Sequence, residues 1–268
     1  MDDDVLDDGG HTYNPDGEHA FPSHRVNEIL RFVEDDSEIT AYLEAQNVNP
    51  VARKGYNDHG ATHVNIVKNR ALSLFNLLKA GGIGFNGARE QGLEEADEPV
   101  IIALAAILHD VGHVVHRDRH PYYSVPIAAD ILDRILPEFY DTAERVRVKS
   151  EILHAIICHH TPEQPLTREA GVVRVADALD MERGRSRMPY ERGGRGIDTL
   201  SSQAITNVAL RTGEEQPVLV EITMSDAAGV YQVDELLKAK LDDSRIEEFI
   251  RIVAVNTRED DLLERIEL

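Results

Sequence analysis

Nine of the twelve histidines fall between His59 and His160: His59, His63, His109, His113, His116, His120, His154, His159 and His160. Two carboxylates stand in surroundings that resist charge. Asp110 follows the nine-residue apolar run Val100 to Leu108, and Asp177 interrupts Val172-Val173-Arg174-Val175-Ala176-Asp177-Ala178-Leu179. An ionised aspartate in such a place costs several kcal/mol of desolvation unless a cation or a partner compensates it. Imidazoles and carboxylates gathered in an apolar interior suit a divalent cation of intermediate hardness. The single cysteine, Cys158, excludes an intrachain disulfide, a cysteine-based zinc site and an iron–sulfur cluster.

The elements that must position these groups are helical by pattern. Ser23 caps a helix carrying Val26, Ile29, Leu30 and Val33, and a shorter one spans Ile39 to Ala45. After a turn at Arg53-Lys54-Gly55, apolar residues at Val64, Val67, Ala71, Leu74 and Leu78 keep helical period as far as Gly81. His59 and His63, four apart at its start, share a face. Pro99 opens a helix apolar on every side, as expected of a central buried one, with His109-Asp110 at its end. Further helices are predicted from Ser124 to Leu136, from an Asp141/Glu144 capping box to about His160, and from a Thr167 cap through Glu169 to about Glu182. Gly82 to Gly87 formally matches a dinucleotide fingerprint, but it trails a helix instead of following a strand, so the motif lacks its context.

The character then changes. An Arg/Gly-rich loop, Arg192 to Gly196, leads to strand-like runs at Ala204 to Leu210 and Val218 to Met224, a helix at about Gln232 to Leu241 and a strand at Phe249 to Val255. The expected architecture is mainly α: an acidic flexible tail (1–22), a helical domain (23–188) and a small β-β-α-β appendage (198–258).

At this level the chain resembles the HD-domain metal-dependent phosphohydrolase superfamily. His63, then His109-Asp110, then Asp177 follow its H…HD…D order. Leu108-His109-Asp110-Val111-Gly112-His113 resembles its LHDIG stretch, and Val175 to Asp180 its closing ADxLD segment. The resemblance implies a helical bundle in which His63, His109, Asp110 and Asp177 hold one divalent ion. The extra histidines are similar to those of the binuclear HD-GYP and cyclic-nucleotide phosphodiesterase branches. That likeness implies a second ion held by bridging Asp110, His120, His159 and His160, with Mn, Fe, Mg, Co or Ni as the metal. The GYP triplet is replaced by Thr161-Pro162-Glu163, so a cyclic dinucleotide substrate does not carry over. Tyr56 and the His59/His63 pair resemble the segment whose earlier histidine protonates the leaving oxygen, which makes His59 the expected acid beside Asp110. The lysine that often follows HDIG is His113 here, which puts a lysine–phosphate contact at that point in doubt.

The chemistry implied is hydrolysis of a nucleotide-like phosphodiester or phosphomonoester by a metal-activated hydroxide, with Arg183, Arg185 and Arg187 available to clamp phosphate. The alternative is a non-catalytic metal- or nucleotide-binding regulatory module that signals through the appendage. Surface ion pairing is the competing role for the arginines, and a metal-free hydrogen-bonded network the competing state of the buried set. His113, His116 and His154 read as supporting or surface residues, and Cys158 as a small buried hydrophobe.

Charge narrows the partners. Against 28 Lys+Arg stand 49 Asp+Glu, a net of −21, which disfavours binding to duplex nucleic acid. Arginine is used in preference to lysine, tryptophan is absent, and acidic residues run along the whole chain, a composition suited to high salt, where self-repulsion is screened. The longest apolar run is about half of the ~20 residues a bilayer demands, and the first residues are acidic where a signal peptide is basic. The expectation is a cytoplasmic protein with a small phosphorylated substrate and no membrane partner. Homo-oligomerisation through the appendage stays open.

Overall fold

The structure, a computed structural model, describes residues 24–54, 57–182, 197–258 and 265–267. The expected tail, the Ser23 cap, Tyr56, and Arg183, Arg185 and Arg187 lie outside the described residues. From α1 to α8 the chain is helical: α1 His24–Glu34, α2 Ser37–Ala45, α3 Ala61–Ala80, the single turn α4 Gly87–Glu90, α5 Glu98–Leu108, α6 His120–Ile135, α7 Thr142–Cys158 and α8 Arg168–Leu179. A helix α9, Ile197–Ala204, precedes strands β1 Ile205–Thr212 and β2 Val218–Met224. A helical segment Gln232–Leu237 then continues into α10, Lys238–Leu241, before β3 Ile250–Asn256 and the short β4 Arg265–Glu267.

The centre of the bundle is α5. Every residue from Glu98 to Leu108 is buried, Pro99 sits at its first turn, and the helix packs against α3, α7 and α8. The surrounding helices each turn one apolar face to it: Val26, Ile29, Leu30 and Val33 on α1, and Val64, Val67, Ala71, Leu74 and Leu78 on α3. Two caps read from sequence, at Asp141/Glu144 and at Thr167, are formed. Asp141 accepts from the backbone of Ala143 and Glu144 while Glu144 returns the bond, and Thr167 accepts from Ala170 N–H.

The sheet has the order β1-β2-β3-β4, with β1/β2 and β3/β4 antiparallel and β2/β3 parallel. Alternate residues of β2 (Val218, Val220, Ile222, Met224) are buried, and these side chains join those of the helices in one contiguous apolar cluster. At the helix–sheet contact, Gly81 ends α3 beneath Pro217 of the β1–β2 turn, where a Cβ would collide with the proline ring. The apolar helical bundle and the β-β-α-β order match the sequence reading. Helix α9 and strand β4 add to it.

One boundary matters for chemistry. The helix expected from Ser124 begins four residues earlier, at His120. Arg119 adopts a left-handed conformation (φ 63°), turning the chain so that Pro121 takes a first-turn position, where its missing N–H costs nothing. His120 is thereby carried on the helix instead of in the loop before it. No helix among the described residues is long and apolar enough to cross a membrane.

Candidate metal centre

Helix α5 stops at Leu108, so His109 and Asp110 leave the most buried helix at the middle of the bundle. A 3₁₀ turn, Val111–Val114, follows, and Gly112 lets α6 approach. A Cβ at Gly112 would collide with the His120 carbonyl, and its N–H donates to Ser124 Oγ (2.9 Å), whose hydroxyl donates to His109 O (2.6 Å). His63 comes from the first turn of α3, Asp177 from the last turn of α8, and His159 from the C-cap of α7.

The two oxygens of Asp110 face two sets of ligand atoms. Oδ2 lies 3.3 Å from His63 Nε2 and 3.4 Å from His109 Nε2, and these nitrogens stand 3.4 and 3.8 Å from Asp177 Oδ1. Oδ1 lies 3.1 Å from His120 Nε2, 3.6 Å from His159 Nε2 and 3.5 Å from His113 Nε2. All six side chains around Asp110 are buried.

The donor chemistry fits cations. His109 Nδ1 donates to Ala106 O (2.8 Å), His120 Nδ1 to Arg117 O (3.0 Å) and His159 Nδ1 to Ile156 O (2.6 Å), while His63 Nδ1 donates to Asp180 Oδ2 (2.6 Å). A carbonyl only accepts, so in the neutral rings Nδ1 carries the proton and Nε2 presents a lone pair. Yet Nε2 of His63 and of His109 are 3.3 Å apart, and those of His120 and His159 only 3.0 Å. Lone pairs brought this close, beside carboxylate oxygens, require an electrophile among them, and anchored Nδ1–H groups are the usual support of metal-ligating histidines.

Electrostatics agree. Burial pushes the Asp110 carboxyl up, but His109, His113 and His59 more than reverse this, leaving it well below the usual carboxylate range. Burial holds His159 neutral, lowering its pKa to about 3, with His109 and His120 adding repulsion. His113 is lowered for the same first reason.

The remaining predicted residues distribute unevenly. His59, on the wall of the cleft, hydrogen-bonds through Nδ1 to Asp110 Oδ2 (2.8 Å). His160 is exposed, its Nδ1 bonded to Thr161 O (3.1 Å), and does not join the second set. His116 is exposed, and His154 accepts from Leu166 N–H away from the site. Cys158 is buried, and burial pushes its thiol up to about 11.

Two participants escaped the sequence reading. His113 is buried between the rings of His59 and His120 (centroids 4.4 and 4.1 Å), with neither ring nitrogen hydrogen-bonded. The only available signal was its place three residues after Asp110, which the 3₁₀ turn brings back over that carboxylate. Lys240, in α10, ion-pairs with Asp177 Oδ2, and nothing local in the sequence joins residues so far apart. Over the site opens a cleft of about 1300 Å³, whose lining includes Arg117, Arg119, Tyr122, Tyr123, Leu236 and Lys240.

Comparison with known proteins follows the same lines. The HD-domain pattern matches residues 85–182. An uncharacterized protein of Methanocaldococcus jannaschii is 36% identical over 231 residues, covering 86% of this chain and 89% of that one. Ribonuclease Y of Desulforamulus reducens is 26% identical over 159 residues, and that of Roseiflexus sp. 28% over 152; these alignments cover 55% and 54% of this chain but only 28% and 26% of the ribonucleases.

Proposed function

This chain belongs to the HD-domain family of metal-binding phosphohydrolases, and from that premise we propose that it hydrolyses a nucleotide-like phosphodiester or phosphomonoester at a binuclear centre. The observation that carries the reading is the division of Asp110: one oxygen for His63, His109 and Asp177, the other for His120, His159 and His113. On this reading His63, His109, Asp110 and Asp177 would hold one ion, and Asp110, His120 and His159 the other. Divalent ions there would supply an acidified water and neutralise charge on the phosphoryl oxygens.

The chain's own groups do the rest. Asp180 and three backbone carbonyls fix the ring orientations, so ligation demands no reorganisation. His59 is the proton donor to the leaving oxygen: it borders the cleft, and the hydrogen bond of its Nδ1 with Asp110 Oδ2 (2.8 Å) fixes the ring beside the reacting centre. Tyr122 and Tyr123 offer faces on which a base can stack. The relatives named as ribonucleases make an internucleotide linkage the first diester to assay, while the net charge of −21 points to a short ligand over a long nucleic acid.

The test is a screen of protein stripped of metal and reloaded with Mn²⁺, Mg²⁺, Fe²⁺, Co²⁺ or Ni²⁺, at low and molar salt. Nucleoside monoesters, dinucleotides and cyclic nucleotides are the substrates. Turnover of at least one class, dependent on added metal, is expected. Metal-loaded protein that binds these ligands and turns over none of them would instead support the non-catalytic module.

A further inference from the structure

The helical segment Gln232–Leu237 and α10 border the cleft over the candidate metal centre, and their attachment to α8 is specific. Gly171, inside α8, lies where a Cβ would collide with the Ser244 carbonyl, so the chain just after α10 rests directly on the helix backbone. One turn on, the buried Arg174 donates Nε–H to Lys240 O (3.2 Å) and Nη2–H to Ala239 O (3.5 Å), tying the end of α10. Its Nη1 donates to Glu163 O (2.7 Å), on the loop after α7. One more turn along the same face stands Asp177, whose Oδ2 pairs with the Lys240 ammonium while Oδ1 faces His63 and His109. Arg174 therefore holds the main chain of Lys240 and Asp177 holds its head.

We propose that Lys240 is the substrate-phosphate contact of this centre, delivered from outside the helical bundle, and that it neutralises Asp177 only until an ion takes that carboxylate. The inference rests on the reading of His63, His109, Asp110 and Asp177 as an ion-holding set. A divalent ion and an ammonium repel one another when they share a carboxylate at contact distance, so occupancy of the set releases the lysine head. The Lys240 stem is anchored at its backbone, which keeps the released head over the cleft, where a phosphoryl group is the anion within reach.

The two roles of Lys240 have opposite signs in binding. Calorimetry on full-length protein stripped of metal measures Mn²⁺ affinity, and a second titration measures inorganic phosphate binding to the Mn²⁺-loaded protein. Lys240→Gln should bind Mn²⁺ roughly tenfold more tightly and phosphate roughly tenfold more weakly, the scale of one charge-assisted contact. Lys240→Arg, which keeps the charge and guards against a misfolded glutamine variant, should bind phosphate within about threefold of wild type. Unchanged constants in Lys240→Gln, or both moving in the same direction, would overturn the proposal and leave the pair a structural tie. A wild-type protein that takes up no Mn²⁺ would instead overturn the metal-centre reading beneath it, a separate outcome visible in the first titration.

Discussion

Around Asp110 the side facing Oδ2 gathers three histidines, His59, His63 and His109, with a second carboxylate, Asp177, and an ammonium, Lys240, whereas the side facing Oδ1 holds imidazoles alone: His113, His120 and His159. The first side carries anionic charge that has to be met at all times, by Lys240 or by an ion. The second carries no carboxylate besides Asp110 itself, and burial keeps two of its rings, His113 and above all His159, neutral. Support differs as well. His63 depends on a carboxylate far along the chain, Asp180, while His120 and His159 are held by carbonyls three residues upstream in their own turns. The two halves of one site should therefore fail in different ways.

The largest effect is expected where the halves meet. Asp110→Ala should remove both ions and slow hydrolysis by more than about 10³-fold, because its two carboxylate oxygens face the two sets. Activity near wild type after metal add-back would end the binuclear account.

Next comes a substitution that spares the metals. His59→Ala should slow a nucleoside diester by ~10²–10⁴-fold and a nitrophenyl ester far less, since only the alkoxide needs a proton to leave. Steady-state kinetics on both esters, at constant metal content, decides it. Equal losses would make His59 a support for Asp110 and not the acid.

Asp180→Ala should weaken ion binding on the Oδ2 side alone by about 10–100-fold, the usual cost of removing an outer partner from a ligating histidine. A metal titration showing both steps weakened equally would contradict the independence of the halves.

These contrasts also show what a sequence can convey. His63, His109, Asp110 and Asp177 stand out because each is an ionisable residue within or at the end of an apolar periodic helix, a local contradiction that a common site resolves. The fold is legible for the same reason: the apolar stripes of α1, α3 and α5 and the alternation in β2 are local patterns. His120 was expected just before a helix, because Arg119 in a left-handed conformation has no pattern of its own. His113 hid behind a 3₁₀ turn, and Lys240 behind the packing of α10 on α8. Gly171 within α8 was the one readable sign of that packing, as glycine inside a helix is costly unless something approaches closely.

The smallest effect expected is on stability. With a pKa of about 3 against an ordinary 6.5, His159 takes up a proton in the unfolded chain but not in the folded one between those values. Its contribution is complete above pH 6.5 and is lost as pH falls toward 3. His113 and His154, both lowered by burial, act with the same sign. Tm of the metal-free protein should fall from pH 7.5 to 5.5, and His159→Gln should flatten that slope. A Tm that rises on acidification would show that the rings are not held neutral.

The account stands most directly on a count of ions. Elemental analysis of fully active wild-type protein should give close to two equivalents of divalent metal per chain, falling to one in the His120→Ala/His159→Ala double variant, with the Oδ2 side still filled. One equivalent in fully active wild type, or a double variant that keeps two, would contradict the division of Asp110 between two ions.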